Sequence, residues 1–190
     1  MSATNAPFGF RPAFHPSGLD RAQALANGIA SGYSSDILKG QPVKLVAAGV
    51  IEAAGAGEAL QGVFAGVEWT DTTGRRRVSN YWPASTAYQT GSCIAYYYND
   101  PLIVYEVQAA GSLAATSVGD EADASNLTAG STVTGLSQAT LSTTLAGAGN
   151  SAQFRIVGLA PYPDNAWGDA YTIVRVTLNE SQFAAATNAV

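Results

Sequence analysis

The chain offers little for catalysis. His15 is the only histidine, and it sits among Pro7, Pro12 and Pro16. A Ser–His–Asp or Cys–His arrangement needs its histidine held beside a nucleophile on rigid structure, and a proline-punctuated arm does not supply that. Cys93 is the only cysteine and lies mid-strand in an apolar run, where a buried structural thiol is expected. It can form neither an internal disulfide nor a cysteine-based zinc site. Asp120, Glu121 and Asp123 are oxygen ligands in type, but they lack the ligand spacing and glycine position of a calcium loop, so a solvated turn is expected. Gly55, Gly57 and Gly62 lie among alanines, without the lysine or following helix of a phosphate loop. Glu52, Glu58, Glu68 and Glu106 show no pairing of an acid with a base. The expectation is a protein that is not an enzyme, with no catalytic residue, no metal site and no cofactor.

Residues suited to surface contact stand out more. Arg75, Arg76 and Arg77 are the one basic cluster, in the polar stretch from Thr70 to Asn80. They read either as a solvated hairpin tip or as an electrostatic contact with an acidic partner. Trp69, Tyr81 and Trp82 bracket that stretch, as interface anchors or as core. Phe8, Phe10 and Phe14 ride on the arm beside Arg11. Three phenylalanines on an isolated arm would be costly to expose, so they dock, either on their own domain or on a neighbouring subunit.

Composition narrows the class. The chain has 190 residues, 47% hydrophobic but only 12% charged, with a net charge of −5. That charged fraction is about half the usual one. A weakly charged surface suits contact with other protein. An acidic chain lacks the basic footprint of a nucleic-acid binder. No run approaches the roughly 18 apolar residues of a membrane helix. The first residues show neither the basic region nor the apolar core of a secretory signal, and one cysteine suits a reducing compartment.

The elements that must position these residues are strands. Ser92 to Tyr98 and Leu102 to Gln108 are rich in Ile, Val and Tyr and apolar on both faces, so both faces must be covered. Pro42 to Val46, Val50 to Ala53, Leu60 to Trp69, Gln153 to Leu159 and Tyr171 to Leu178 read likewise. Gly62 and Gly66 mark bulges or close approaches. Asp20 to Asn27 reads as two turns of helix, capped by Asp20 and by Asn27-Gly28. The fold class expected is all-β: an antiparallel β-sandwich, jelly-roll-like, with an extended N-terminal arm. A small β-barrel or β-tulip-type fold is the alternative. The organisation expected is an arm and lead-in over 1–40, a sandwich over 41–180, and a tail over 181–190 that is a short helix or frayed.

Several motifs occur in a telling order. Asn5-Ala6-Pro7-Phe8-Gly9-Phe10-Arg11-Pro12 is followed by Lys39-Gly40-Gln41-Pro42-Val43-Lys44-Leu45 and Leu60-Gln61-Gly62-Val63-Phe64-Ala65-Gly66. Asn99-Asp100-Pro101 then leads into Val104-Tyr105-Glu106-Val107-Gln108. Val118-Gly119-Asp120 with Ala122-Asp123, Ile156-Val157-Gly158-Leu159 and Pro163-Asp164-Asn165 complete the set. From residue 5 to about 180, this order resembles the head decoration, or cement, proteins of tailed bacteriophages. The resemblance implies a structural virion protein, made in the host cytoplasm. It would bind the outer capsid surface and reinforce neighbouring major capsid protein subunits. It also implies a homo-oligomer, dimer or trimer, with no nucleic acid or membrane partner. The residues expected to meet the capsid are Phe8, Phe10, Arg11, Phe14, Arg75, Arg76, Arg77 and Trp82. The three arginines lie outside the motifs that carry the resemblance. A rival from another class is a carbohydrate-binding or adhesion sandwich of a fibre or spike. In it Trp69, Trp82 and Tyr96 to Tyr98 would stack on sugar rings.

Overall fold

Two runs of alternating and β-branched residues build two antiparallel sheets. The architecture is that of a computed structural model, which describes residues 2–18 and 22–185. The first sheet contains β1 (Arg11–Phe14), β8 (Val104–Gln108), β9 (Glu121–Ser125), β12 (Thr140–Leu145), β13 (Phe154–Leu159) and β14 (Ile173–Leu178). Their spatial order is β1-β8-β14-β13-β9-β12. The second contains β2 (Gln23–Ala26), β3 (Pro42–Leu45), β4 (Ile51–Ala53), β5 (Gly62–Thr70), β6 (Arg76–Ser79) and β7 (Ile94–Tyr98). It runs β2-β7-β5-β3-β4, with β6 also paired to β5. A small hairpin, β10 (Gly130–Ser131) with β11 (Leu136–Ser137), stands apart.

The all-β antiparallel class is the one the strand pattern dictates. Jelly-roll winding would send successive strands to alternate sheets. Here β2 to β7 fill one sheet, while the other takes β8, β9, β12, β13 and β14. Each sheet has its own core. Tyr105, Val107, Leu141, Phe154, Ile156, Val174 and Val176 meet in the first, and Val43, Ile51, Phe64, Val67, Trp82 and Ala95 in the second. Each sheet also curls back on itself. In the first, Ala110, just after β8, donates its N–H to the Leu141 carbonyl of β12 at 2.8 Å, and in the second Ile51 of β4 donates its N–H to the Gly28 carbonyl, just after β2, at 2.7 Å. Such closing bonds satisfy backbone groups that open edges would leave unpaired.

Strand β5 serves both cores. Val63 faces the first and Phe64 the second by ordinary alternation, and the register slip between Phe64 and Gly66 keeps Val67 and Trp69 on the Phe64 side. Gly62 must be glycine for a second reason: its φ is +154°, and a Cβ there would overlap the Tyr98 carbonyl.

The first forty residues are not a free arm. Residues 11–14 form an edge strand on β8, with Arg11 opposite Glu106 and Phe14 opposite Val104. Residues 23–26 form a strand on β7, Gln23 opposite Tyr97, where a helix was expected. The β7 edge offers backbone partners that an isolated two-turn helix, too short to be stable alone, cannot match. Asp20, its expected cap, lies outside the described residues. Asn27 does take the left-handed turn its capping role required, at φ 53°, but it ends a strand. The start of the expected tail is docked as well. Ser181 bridges Leu60, and the Gln182 amide bonds the Leu45 backbone at both N–H and C=O. The rest of that tail, 186–190, lies outside the described residues.

Candidate functional site

Arg11 reaches its position by strand pairing. β1 lies on β8 and β8 lies on β14, so Arg11, Glu106 and Arg175 fall in one row across three strands. Arg11 Nη2 donates to Glu106 Oε2 at 2.9 Å, and Arg175 Nη2 donates to Oε1 at 3.3 Å. Tyr162 Oη donates to Oε2 at 2.5 Å and accepts a hydrogen bond from Arg11. Glu106 is buried, while the Arg11 side chain remains 53% exposed. Burial alone would push the Glu106 carboxyl up. The bonds from Tyr162 and Arg11, the Arg11 charge and the Arg175 bond outweigh it and hold the group below the usual carboxylate range. The same bond to Glu106 raises the Arg11 guanidinium. A buried charge is tolerable only with such partners.

Two phenylalanines flank this row. The Arg11 guanidinium lies over the Phe8 ring at 4.8 Å, and that of Arg175 over Phe14 at 5.2 Å. Phe8 is half-buried, whereas Phe14 keeps 43% of its surface exposed. The result is a surface of alternating rings and cations on the outer side of the first sheet. Rings and arginines of this kind are the residues that anchor protein contacts.

Phe10 belongs elsewhere. It is fully buried and stacks on Phe154 at 4.2 Å, with its N–H on the Gly40 carbonyl at 2.9 Å. Phe10 and Arg11 alternate to opposite sides, and the turn at Gly9, φ 72°, and the register slip between Pro12 and Phe14 leave Phe8 and Phe14 outside, so Phe10 is corrected from contact residue to core residue. Trp82 is corrected likewise. It is fully buried against Trp69 and Tyr88, at 5.5 and 5.9 Å. Trp69 and Tyr97 are buried too, so three of the five rings expected to stack on sugars belong to the second core, while Tyr96 and Tyr98 are half-buried.

The hairpin arginines are exposed but not free. Arg77 Nε lies 3.0 Å from Asp71 Oδ2, Arg75 Nε 3.4 Å from the same oxygen, and Arg76 Nη2 2.6 Å from Glu68 Oε2. Bonds from Thr73 and from the Arg75 backbone, with Arg77, hold the Asp71 carboxyl well below its ordinary value. The loop is thus a turn organised by Asp71 and largely neutralised from within.

His15 also has a local role. It is buried, with Nδ1 accepting the Ser17 N–H at 3.0 Å and Nε2 3.1 Å from Asp100 Oδ2. It thus sits between the end of β1 and the turn before β8. Cys93 is buried, and that burial raises its thiol. The acidic run 120–123 is not a solvated turn. Glu121 is fully buried, accepting from Arg155 Nε at 3.0 Å, Ala152 N–H at 2.9 Å and Asn179 Nδ2 at 2.7 Å. Among the described residues no cluster of His, Cys, Asp and Glu is arranged to hold a metal ion.

Reasoning from sequence missed the Glu106–Arg175 pair. The signal was there: each residue is the one charge at the centre of an otherwise apolar strand, and opposite charges in adjacent strands stabilise each other when they fall opposite.

By class, fold and site define an all-β protein with a ring-and-cation surface beside its first strand. Comparisons with family models, curated proteins and solved structures find no match.

Proposed function

We propose that this chain is a non-enzymatic decoration protein, which binds the outer surface of a phage capsid and cements neighbouring major capsid protein subunits. The order of motifs from residue 5 to about 180 motivates this reading. The observation that carries it is the outer face of the first sheet, where exposed Phe14 and Arg11 stand with Phe8 and Arg175. Such a face gains contact area at little entropic cost, because its rings and guanidinium groups are already ordered against each other. Homo-oligomerisation as a dimer or trimer belongs to the same proposal, and so does a location on the virion exterior.

Removing residues 1–16 is not a clean test, since it takes Phe10 out of the core. Phe14→Ala is cleaner. The test mixes the purified chain with undecorated shells and measures co-sedimentation. The wild type should sediment with the shells, and Phe14→Ala should bind about tenfold more weakly, the cost of losing one anchor of an interface. Its unfolding midpoint should change little. A wild-type chain that ignores shells sinks the proposal, and so does an undiminished Phe14→Ala.

A further inference from the structure

A groove of about 330 Å³ opens beside β1, between the arm and the loop at Lys39. That is near the small end of the range for ligand sites, roughly 300–1,000 Å³. Phe8, Tyr98 and Leu136 supply apolar walls over the buried Phe64, and Arg11 and Lys39 supply charge. No acidic residue lines it, although the chain has 14 acidic and 9 basic residues. The sign of the groove therefore runs against that of the molecule.

Its two cations are held differently. Arg11 is fixed by Glu106 and by the Phe8 ring. Lys39 is fixed through its backbone: its N–H donates to the Gly135 carbonyl at 3.0 Å, and its carbonyl accepts from Ser137 N–H at 3.0 Å. Only its backbone groups are bonded, and its ammonium has no hydrogen bond or ion pair among the described residues. An exposed lysine with an anchored backbone beside a greasy hollow is placed for a carboxylate arriving with an apolar side chain.

We infer that this groove binds an extended acidic peptide segment, seating one apolar side chain against Phe8, Tyr98 and Leu136 while its carboxylates pair with Lys39 and Arg11. Charge complementarity and an apolar floor together select that occupant. A nucleic acid would need more cations than two, and an uncharged apolar ligand would leave the Lys39 ammonium unused. That the segment belongs to a capsid protein rests on the proposed function; the binding chemistry does not.

The probe is a blocked pentapeptide of glutamate, leucine, glutamate, phenylalanine and glutamate, titrated into the isotope-labelled full chain and followed by backbone amide shifts. Shifts should concentrate at Phe8, Lys39, Tyr98 and Leu136. Replacing the three glutamates by glutamine should weaken binding about tenfold, as should Lys39→Glu, and added salt should act in the same direction. Lys39→Glu removes no contact of the fold, which an unchanged unfolding midpoint verifies. Equal binding of the glutamate and glutamine peptides overturns the inference, as does indifference to Lys39→Glu. Shells separate the two ideas. If the peptide binds as expected but shells are ignored, the groove stands and the capsid reading falls. If shells take wild type and Lys39→Glu equally, the capsid reading stands and the groove is not its contact.

Discussion

The strand at residues 11–14 and the hairpin tip at 71–79 both carry arginines in exposed positions, yet they are built in opposite ways. Arg11 finds its carboxylate 95 residues away in sequence, on a neighbouring strand. Arg75 and Arg77 find theirs on Asp71, and Arg76 on Glu68 at the near end of the same hairpin. The first arrangement locks distant parts of the chain together and orders its rings with it. The second serves its own turn. Three consecutive arginines are the louder signal in a sequence, but the isolated one does more for the fold.

Phe10→Ala should sharpen the contrast most. Emptying a fully buried ring site stacked on Phe154 should cost about 3–5 kcal/mol, read as a lower urea midpoint. Were the loss small, β1 would be an appendage after all. Glu106→Gln comes next. It takes the charge from a carboxylate shared by Arg11, Arg175 and Tyr162, at about 1–3 kcal/mol. Amide exchange over residues 11–14 should quicken, with no change over 71–79.

The pH dependence follows from the same carboxylate. Glu106 has a lower pKa folded than unfolded, so the folded state binds its proton less readily. Its contribution is full above the unfolded value, about 4.3, and disappears as pH falls through the folded value. The stability gap between wild type and Glu106→Gln should therefore shrink below about pH 4, as urea titrations at stepped pH would reveal. The smallest effect should come from Arg76→Ala, whose exposed pair is screened by water and salt. Its unfolding midpoint should match that of the wild type, and a clear drop would break the comparison.

Strand centres were legible in the sequence because β-branched and aromatic residues alternate there. Val104 to Gln108 and Ile173 to Leu178 are found where the pattern puts them, and Gly62 sits at the close approach its neighbours imply. The strand at 23–26 was not legible. Gln23-Ala24-Leu25-Ala26 favours helix by propensity, and only the open side of β7 makes it extended. The same holds at the candidate site. That the rings of Phe8, Phe10 and Phe14 dock could be read from the cost of exposing three of them on one arm. That Phe10 turns inward, and that Glu106 waits beneath Arg11, depends on a partner strand that local sequence does not name. Trp82 misled because large rings serve cores and interfaces equally well.

The pairing of β1 with β8 also bears on how the molecule is made. Residues 11–14 leave the ribosome well before their partner strand, which follows about ninety residues later, and before β14, which completes the row at Arg175. The earlier segment must wait, unsheltered, for the later ones. Folding of the first sheet can finish only after β14 has emerged, and such long-range closure is slow. A nascent chain stalled before residue 173 would expose Phe8, Phe10 and Phe14 together, and would be an evident client for a chaperone.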